Sequence, residues 1–357
     1  MTKTVKKLVA LFVALFMLTT LFGGCSTNTQ TPAQASAKPL YKELTVYTAL
    51  PEVEIPIYFN AFEKDTGIKV NYIRLSSGEV LARLQAEKNN PNASVFHGGS
   101  TDNFIQAIGQ GLLEKYTSPE SKNVPEEYLD KEGYWTPFYI GAISFACNKD
   151  WFTKNKLKYP ESWDDLLKPE FKGQVSMAHP STSGTSYTVL ATLVQLMGEE
   201  KAFEYMKKLN SSVRQYTKSG AAPPMEVGLG EAAIALTFAH DGLKPVGEGY
   251  PIELSFPKDG TGYEIGGLSI IKGGPEKEKD NAKAFIDWCV SKAGQELFDV
   301  AKSYRVPLNK AATPPKGAIK IADLKTIKYD AQWAGDNRKR LIERFTSEIE
   351  SGKNLKQ

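Results

Sequence analysis

Four loops in this chain carry residues that could hold an oxyanion. The first is STSGT (181–185), set within MAHPSTSGTSYTVLATLVQLM (177–197), where hydroxyls and a glycine precede a long apolar helix pattern. A helix start leaves its first N–H groups without intrahelical partners and carries the positive end of the helix dipole. Thr182, Ser183, Gly184 and Thr185 therefore form a set suited to a phosphate or phosphonate without any arginine. Ser and Thr are also ordinary helix caps, so one such loop alone reads equally well as a cap. Repetition favours the anion: SSGE (76–79) brings Ser77, GGSTDN (98–103) brings Ser100, and KSGAAP (218–223) brings Ser219.

Those loops need a frame that gathers them, and the hydropathy pattern supplies one. ELTVYTA (43–49) and IKVNYIRL (68–75) read as strands, with a helix over 53–64 between them that carries Ile55, Phe59 and Phe62 on one side. A helix over 78–88 and the short strand SVFHGG follow. A second series runs from Cys147 to about 257, through QVSMA, the helix after STSGT, a helix over 201–210, VRQYT, a glycine-bounded helix and the buried strand AIALTFA. GGLSIIKGG and helices over 280–290 and 293–301 return to the style of the first series.

Strands alternating with helices predict an α/β fold in which each lobe is a mostly parallel sheet flanked by helices. In such sheets the ligand sits at the carboxyl ends of the strands, where these loops fall. The chain crosses between lobes near 143–149 and 264–270. The expected lobes are thus 40–146 with 265–357, and 147–264, facing each other across a hinged cleft. The last segment, with Trp333 and the spacing Leu341, Ile342, Phe345 and Ile349, reads as a helix packing on the first lobe.

The amino terminus, MTKTVKKLVALFVALFMLTTLFGGCS, has a lysine-bearing start, an apolar run and two glycines: a signal peptide over 1–24. Gly-Gly-Cys resembles a lipobox, with Phe22 where that pattern prefers Leu, and implies cleavage before Cys25 and a diacylglycerol on its sulfur. The polar stretch STNTQTPAQASAKP (26–39) reads as a tether, so 25–39 joins an anchor to a folded body outside the cell membrane or in a periplasm. Removing the signal's three lysines from 44 basic residues leaves 41, equal to the 41 acidic ones, and nothing in that balance calls for nucleic acid. Cys147 and Cys289 sit in apolar sequence and read as buried small hydrophobes rather than a pair.

At this point the chain resembles the extracellular solute-binding proteins of ABC importers, of type II architecture, in the subgroup of ferric-ion, phosphonate and sugar-phosphate binders. The resemblance rests on LTVYTALPE, FEKDTGIKV, SSGEVLARLQAE, SWDDLLKPEFKGQV, HPSTSGTSYT, QYTKSGAAP, GEAAIALTFAHD, GTGYEIGG, NAKAFIDW and YRVPLN, in that order. It implies a monomer with no cofactor that captures a small solute between the lobes. It also implies delivery of that solute to a membrane permease driven by an ATPase. His240 and Asp241, directly after AIALTFA, and Glu264 in GTGYEIGG resemble the residues that grip sugar hydroxyls in the hexose-phosphate binders.

Carboxylates accept hydrogen bonds from vicinal hydroxyls and imidazole adds a donor or acceptor, so the expected solute is a hexose phosphate. The same set also describes 2-aminoethylphosphonate, its ammonium on Asp241 or Glu264. Asp241 could instead cap a helix with His240 in solvent. Ferric iron is disfavoured: the iron binders use an adjacent tyrosine pair, and the sixteen tyrosines here include none, Tyr216 and Tyr263 standing singly. His97 stands beside GGS as a further cleft candidate, and His179 is expected to brace the loop at Pro180. A secreted phosphatase would need a metal cluster or an activated nucleophile. The sequence has neither H-E-x-x-H, G-x-S-x-G nor D-x-D-x-[ST].

Overall fold

A computed structural model describes residues 41–350; the signal peptide, the tether and Cys25 lie outside them. The chain runs β1 (Glu43–Thr48), α1 (Ile55–Thr66), β2 (Lys69–Arg74), α2 (Ser77–Ala86), β3 (Val95–Ser100), α3 (Thr101–Gly109) and β4 (Leu113–Glu114). It continues with β5 (Thr136–Asn148), α4 (Lys149–Asn155), β6 (Val175–Ala178), α5 (Gly184–Met197), α6 (Glu199–Ser212), β7 (Val213–Thr217), α7 (Pro223–Gly228), β8 (Ile234–Phe238) and α8 (Ala239–Gly247). Then come β9 (Ile252–Ser255), β10 (Tyr263–Ile271), α9 (Lys279–Val290), α10 (Lys292–Val300), β11 (Val306–Pro307) and α11 (Ala331–Glu348).

The strands line up as β2-β1-β3-β10-β5-β8-β6-β7. The ladders at either end, β1 with β2 and β3, and β6 with β7 and β8, are parallel. The two strands in the middle, β10 and β5, run antiparallel to their neighbours. β5 is buried at all 13 of its positions and serves both sides. Thr136 to Ala142 pair with β10, and Ile143 to Cys147 with β8. Sequence reading saw only a crossover here; the strand's mostly apolar run and Pro137 hide its period, as expected for a strand covered on both faces.

Each half of the sheet has its own core. Ile55, Phe59 and Phe62 of α1 lie one turn apart and pack with Phe285 and Phe298 on one side of the first half. The second half buries Tyr187, Leu190 and Leu193 of α5 with Phe203, Met206 and Leu209 of α6. Helix α11 packs against α3 of the first half, as expected, with Gly335 set close to Ile105 and Asp102. Its Ala334, Leu341, Phe345 and Ile349 side join the core of the second half. Arg338 reaches the other way, to Asp102 of α3 at 3.0 Å, so this helix lies across both halves. Both described cysteines are free and buried, as expected.

Candidate functional site

The carboxyl ends of β1, β2 and β3 and those of β6, β7 and β8 open onto one cavity. Counted with its open mouth, it encloses about 410 Å³. Of the predicted residues, Ser77, Ser183, Gly184, Thr185, Ser219, His240, Asp241 and Glu264 all line it. Two do not. The Thr182 hydroxyl donates to the Lys218 carbonyl at 2.9 Å, and Ser100 Oγ accepts from Asn103 Nδ2 at 3.1 Å while starting α3. Both are used up in holding the loops.

One end of the cavity is made of hydroxyls and backbone N–H groups. Ser183 caps α5, its Oγ facing the Ser186 N–H at 3.5 Å. The Gly184 N–H donates to Ser77 Oγ across the cleft at 3.0 Å. The Thr185 N–H lies in the first turn of α5, where backbone donors precede the first intrahelical bonds. A side chain at 184 is excluded: an added Cβ would stand 2.4 Å from Ser100 Oγ and 2.5 Å from Ser77 Oγ. The halves touch again where the Gly78 N–H donates to the Thr182 carbonyl at 2.9 Å and Arg74 Nη2 donates to Ser219 Oγ at 2.8 Å. Sequence reading expected an anion site without arginine; Arg74, at the end of β2, stands in the wall.

The other end is a buried cluster of charged groups. His240 and Asp241 lie in the first turn of α8, not on the strand, and neither is solvated: they are 3 % and 9 % exposed. Phe238, not Asp241, is the capping position. His240 Nε2 lies 3.8 Å from Asp241 Oδ1 and 3.7 Å from Glu264 Oε1, beyond hydrogen-bond reach. Its Nδ1 is buried without a partner, against Gly141, where an added Cβ would come within 2.4 Å. Burial, reinforced by the nearby Arg305 cation, pushes the imidazole well below its ordinary value, so the ring is neutral. Burial pushes the Asp241 and Glu264 carboxyls upward, opposed in both by Arg305.

Arg305 itself was missed by sequence reading. It lines the cavity at 2 % exposure, donates from Nη1 to Glu54 at 2.5 Å, and holds Nη2 3.7 Å from Asp241 Oδ1. Burial opposes its charge, but Glu54, Tyr139 and Asp241 around it more than offset that. Its guanidinium lies over the Tyr139 ring at 4.9 Å. The only earlier hint was its place in YRVPLN.

The other candidate side chains fall elsewhere. His97, midway along β3, points into the core instead of the cleft, with its ring among Phe59, Phe138 and Phe285 and its Nδ1 3.0 Å from Thr48 Oγ1. Burial lowers its pKa to about 3. His179 braces its loop as expected, its Nδ1 accepting from the Ser181 N–H at 3.1 Å. Tyr216 is buried against Asn210 and Phe345, away from the cavity. Among the described residues no three His, Cys, Asp or Glu side chains could hold a metal ion together. The tyrosine of the cavity, Tyr139, is pushed away from its ionised form by burial and by Glu264.

The structure is similar to that of the periplasmic binding protein AfuA from Actinobacillus pleuropneumoniae with exogenous fructose 6-phosphate bound. The TM-score is 0.84 and the sequences are 38 % identical, over 87 % of this chain and 99 % of that one. An uncharacterized protein of Haemophilus influenzae is 39 % identical over 87 % of this chain and 91 % of its own length. A putative 2-aminoethylphosphonate-binding periplasmic protein of Salmonella typhimurium is 26 % identical over 74 % of this chain and 77 % of its own. The family described as bacterial extracellular solute-binding protein matches residues 90–331. The chain belongs to that family, the solute-binding proteins of ABC importers.

Proposed function

We propose that this chain captures a hexose phosphate between two lobes, 40–146 with 265–357 and 147–264, and hands it to the permease of an ABC importer. The observation that carries the reading is the contrast between the ends of one cavity. Ser77, Ser183, Gly184, Thr185 and Ser219, with Arg74 beside them, suit a phosphate; neutral His240 with Asp241 and Glu264 suits sugar hydroxyls. The solute of AfuA, fructose 6-phosphate, has both features.

Arg305 weighs against an aminophosphonate, because its cation already stands between Glu54 and Asp241 where the ammonium would go. Ferric iron is a poorer match still, since the cavity's phenol, Tyr139, stands singly with the Arg305 guanidinium over its ring. The exported location agrees with the periplasmic relatives, and the lipid on Cys25 belongs to the same reading on the strength of the Gly-Gly-Cys sequence.

The test is titration calorimetry of the purified protein with glucose 6-phosphate, fructose 6-phosphate, 2-aminoethylphosphonate, inorganic phosphate and ferric citrate. Binding of a hexose phosphate well above the rest is expected. Preference for the aminophosphonate would reassign the two carboxyls to an ammonium, and preference for ferric citrate would overturn the whole reading.

A further inference from the structure

The joint between the two halves has a fastening outside the ligand cavity. Gly78, in the first turn of α2, donates its N–H to the Thr182 carbonyl at 2.9 Å. A side chain does not fit there. An added Cβ would stand 2.3 Å from the Ser181 carbonyl oxygen, 2.7 Å from that of Thr182 and 2.9 Å from Arg338 Nη2. Ser181 and Thr182 lie in the second half and lead directly into Ser183, Gly184 and Thr185 of the cavity wall, while Gly78 follows Ser77 of the opposite wall.

Arg338 of α11 is drawn to the same spot. It is 4 % exposed, and its guanidinium faces acceptors from both halves. On α3 of the first half these are Asp102 Oδ2 at 3.0 Å and Gln106 Oε1 at 3.4 Å. On the second they are the carbonyls of Pro180 at 3.5 Å and Ser181 at 3.4 Å. A planar guanidinium can serve such a spread of acceptors at once; a compact ammonium cannot. The helix that carries it is also held from both sides. The Tyr187 hydroxyl of α5 donates to the Ala334 carbonyl at 2.5 Å, and Gly335 lies against Ile105 of α3, where an added Cβ would come within 2.4 Å. Whichever half α11 follows when the cleft opens, one set of the Arg338 bonds crosses the joint and breaks.

Gly78, Ser181 and Arg338 line a groove of their own, and none of the three lines the ligand cavity. Their contacts therefore favour the closed arrangement without touching the solute. Apparent affinity scales with the fraction of protein in the binding-competent form. We propose that Gly78 and Arg338 form a latch that sets how far the closed form is populated, and through it the affinity for whatever solute the halves enclose. The latch rests on capture between two lobes, and not on which solute is captured.

The experiment is titration calorimetry and small-angle X-ray scattering on the wild type, Gly78→Ala and Arg338→Lys. The ligands are glucose 6-phosphate, fructose 6-phosphate, 2-aminoethylphosphonate, inorganic phosphate and ferric citrate. Alanine is well suited to a helix, so Gly78→Ala should keep a melting temperature near that of wild type without ligand. Its affinity should fall by at least about tenfold, by the same factor for every ligand the wild type binds, and at saturation its radius of gyration should stay above that of the liganded wild type. Arg338→Lys keeps a cation for Asp102 and should lose roughly two- to tenfold, again uniformly. Variants that bind and contract like wild type overturn the latch, as do losses that differ from one ligand to the next. Weaker binding of Gly78→Ala together with a markedly lower melting temperature also overturns it, by making the glycine a requirement of folding. If the wild type binds only a ligand other than a hexose phosphate, the hexose-phosphate reading falls and the latch is judged on that ligand. If it binds none and contracts with none, both fall.

Discussion

The two ends of the cavity solve opposite problems. At one end the polar groups are backbone N–H and hydroxyls on loops that come together from both halves, already bonded to each other through Ser77 and Gly184 and through Arg74 and Ser219. At the other they are ionisable side chains, buried and held apart: His240 stands 3.7–3.8 Å from its two carboxyl neighbours and keeps an unpartnered Nδ1. The first end depends on the halves meeting. The second is drawn from α8, β5, β10 and the turn before β11, gathered around Arg305. Dipoles from a joint suit a group that is always anionic, while fixed carboxyls suit hydroxyls whose positions must be read one by one.

The largest effect should come from the carboxyl end. Asp241→Ala removes an acceptor and leaves Arg305 facing one carboxylate fewer; truncating one partner of a buried charged set costs about 2–5 kcal/mol. Hexose-phosphate binding should therefore fall by at least about thirtyfold in calorimetry, with a thermal unfolding scan to show the fold intact. Unchanged affinity would remove the assigned role. At the loop end, Ser183→Ala with Thr185→Ala should weaken glucose 6-phosphate by about 1–3 kcal/mol and leave any binding of glucose untouched. Equal losses for both sugars would erase the contrast between the ends.

A smaller effect is expected from pH in the unliganded protein. The Glu264 carboxyl is raised, so the folded state holds its proton more tightly than the unfolded chain does. Its stabilising contribution is thus complete below the ordinary glutamate value of about 4.3 and is lost as pH rises toward the raised value. Glu264→Gln escapes that loss. Its melting temperature should gain on wild type as pH climbs from about 5 to 7, and a gap that narrows instead would contradict the buried, uncompensated carboxyl. Smallest of all should be Thr182→Val, since that hydroxyl serves the loop and not the cavity. Affinity within about threefold of wild type is expected by calorimetry, and a loss as deep as that of the Ser183 and Thr185 pair would return Thr182 to the site.

The sequence was most informative where structure is local. Ser183 and Ser77 announce helix starts by residue type, and α1 shows its face through Ile55, Phe59 and Phe62. Parallel α/β order then carries those loops to one edge of the sheet. Non-local contacts were not legible. Arg305 follows two non-glycine residues of positive φ, Lys302 and Tyr304, and precedes a strand of two residues. Its partner Glu54 is 251 positions away. His97 misled because GGS marks the loop, while strand alternation turns the preceding side chain inward. His240 and Asp241 do follow β8 directly, but the helix begins at once and sets both in its first turn.

Strand β5 also bears on how the molecule comes apart. Six of its residues complete one ladder and five another, so neither half owns a full sheet without the other. The described body is therefore expected to melt in one cooperative transition instead of two, with calorimetric and van't Hoff enthalpies in agreement. A fragment cut between the halves would expose a raw sheet edge.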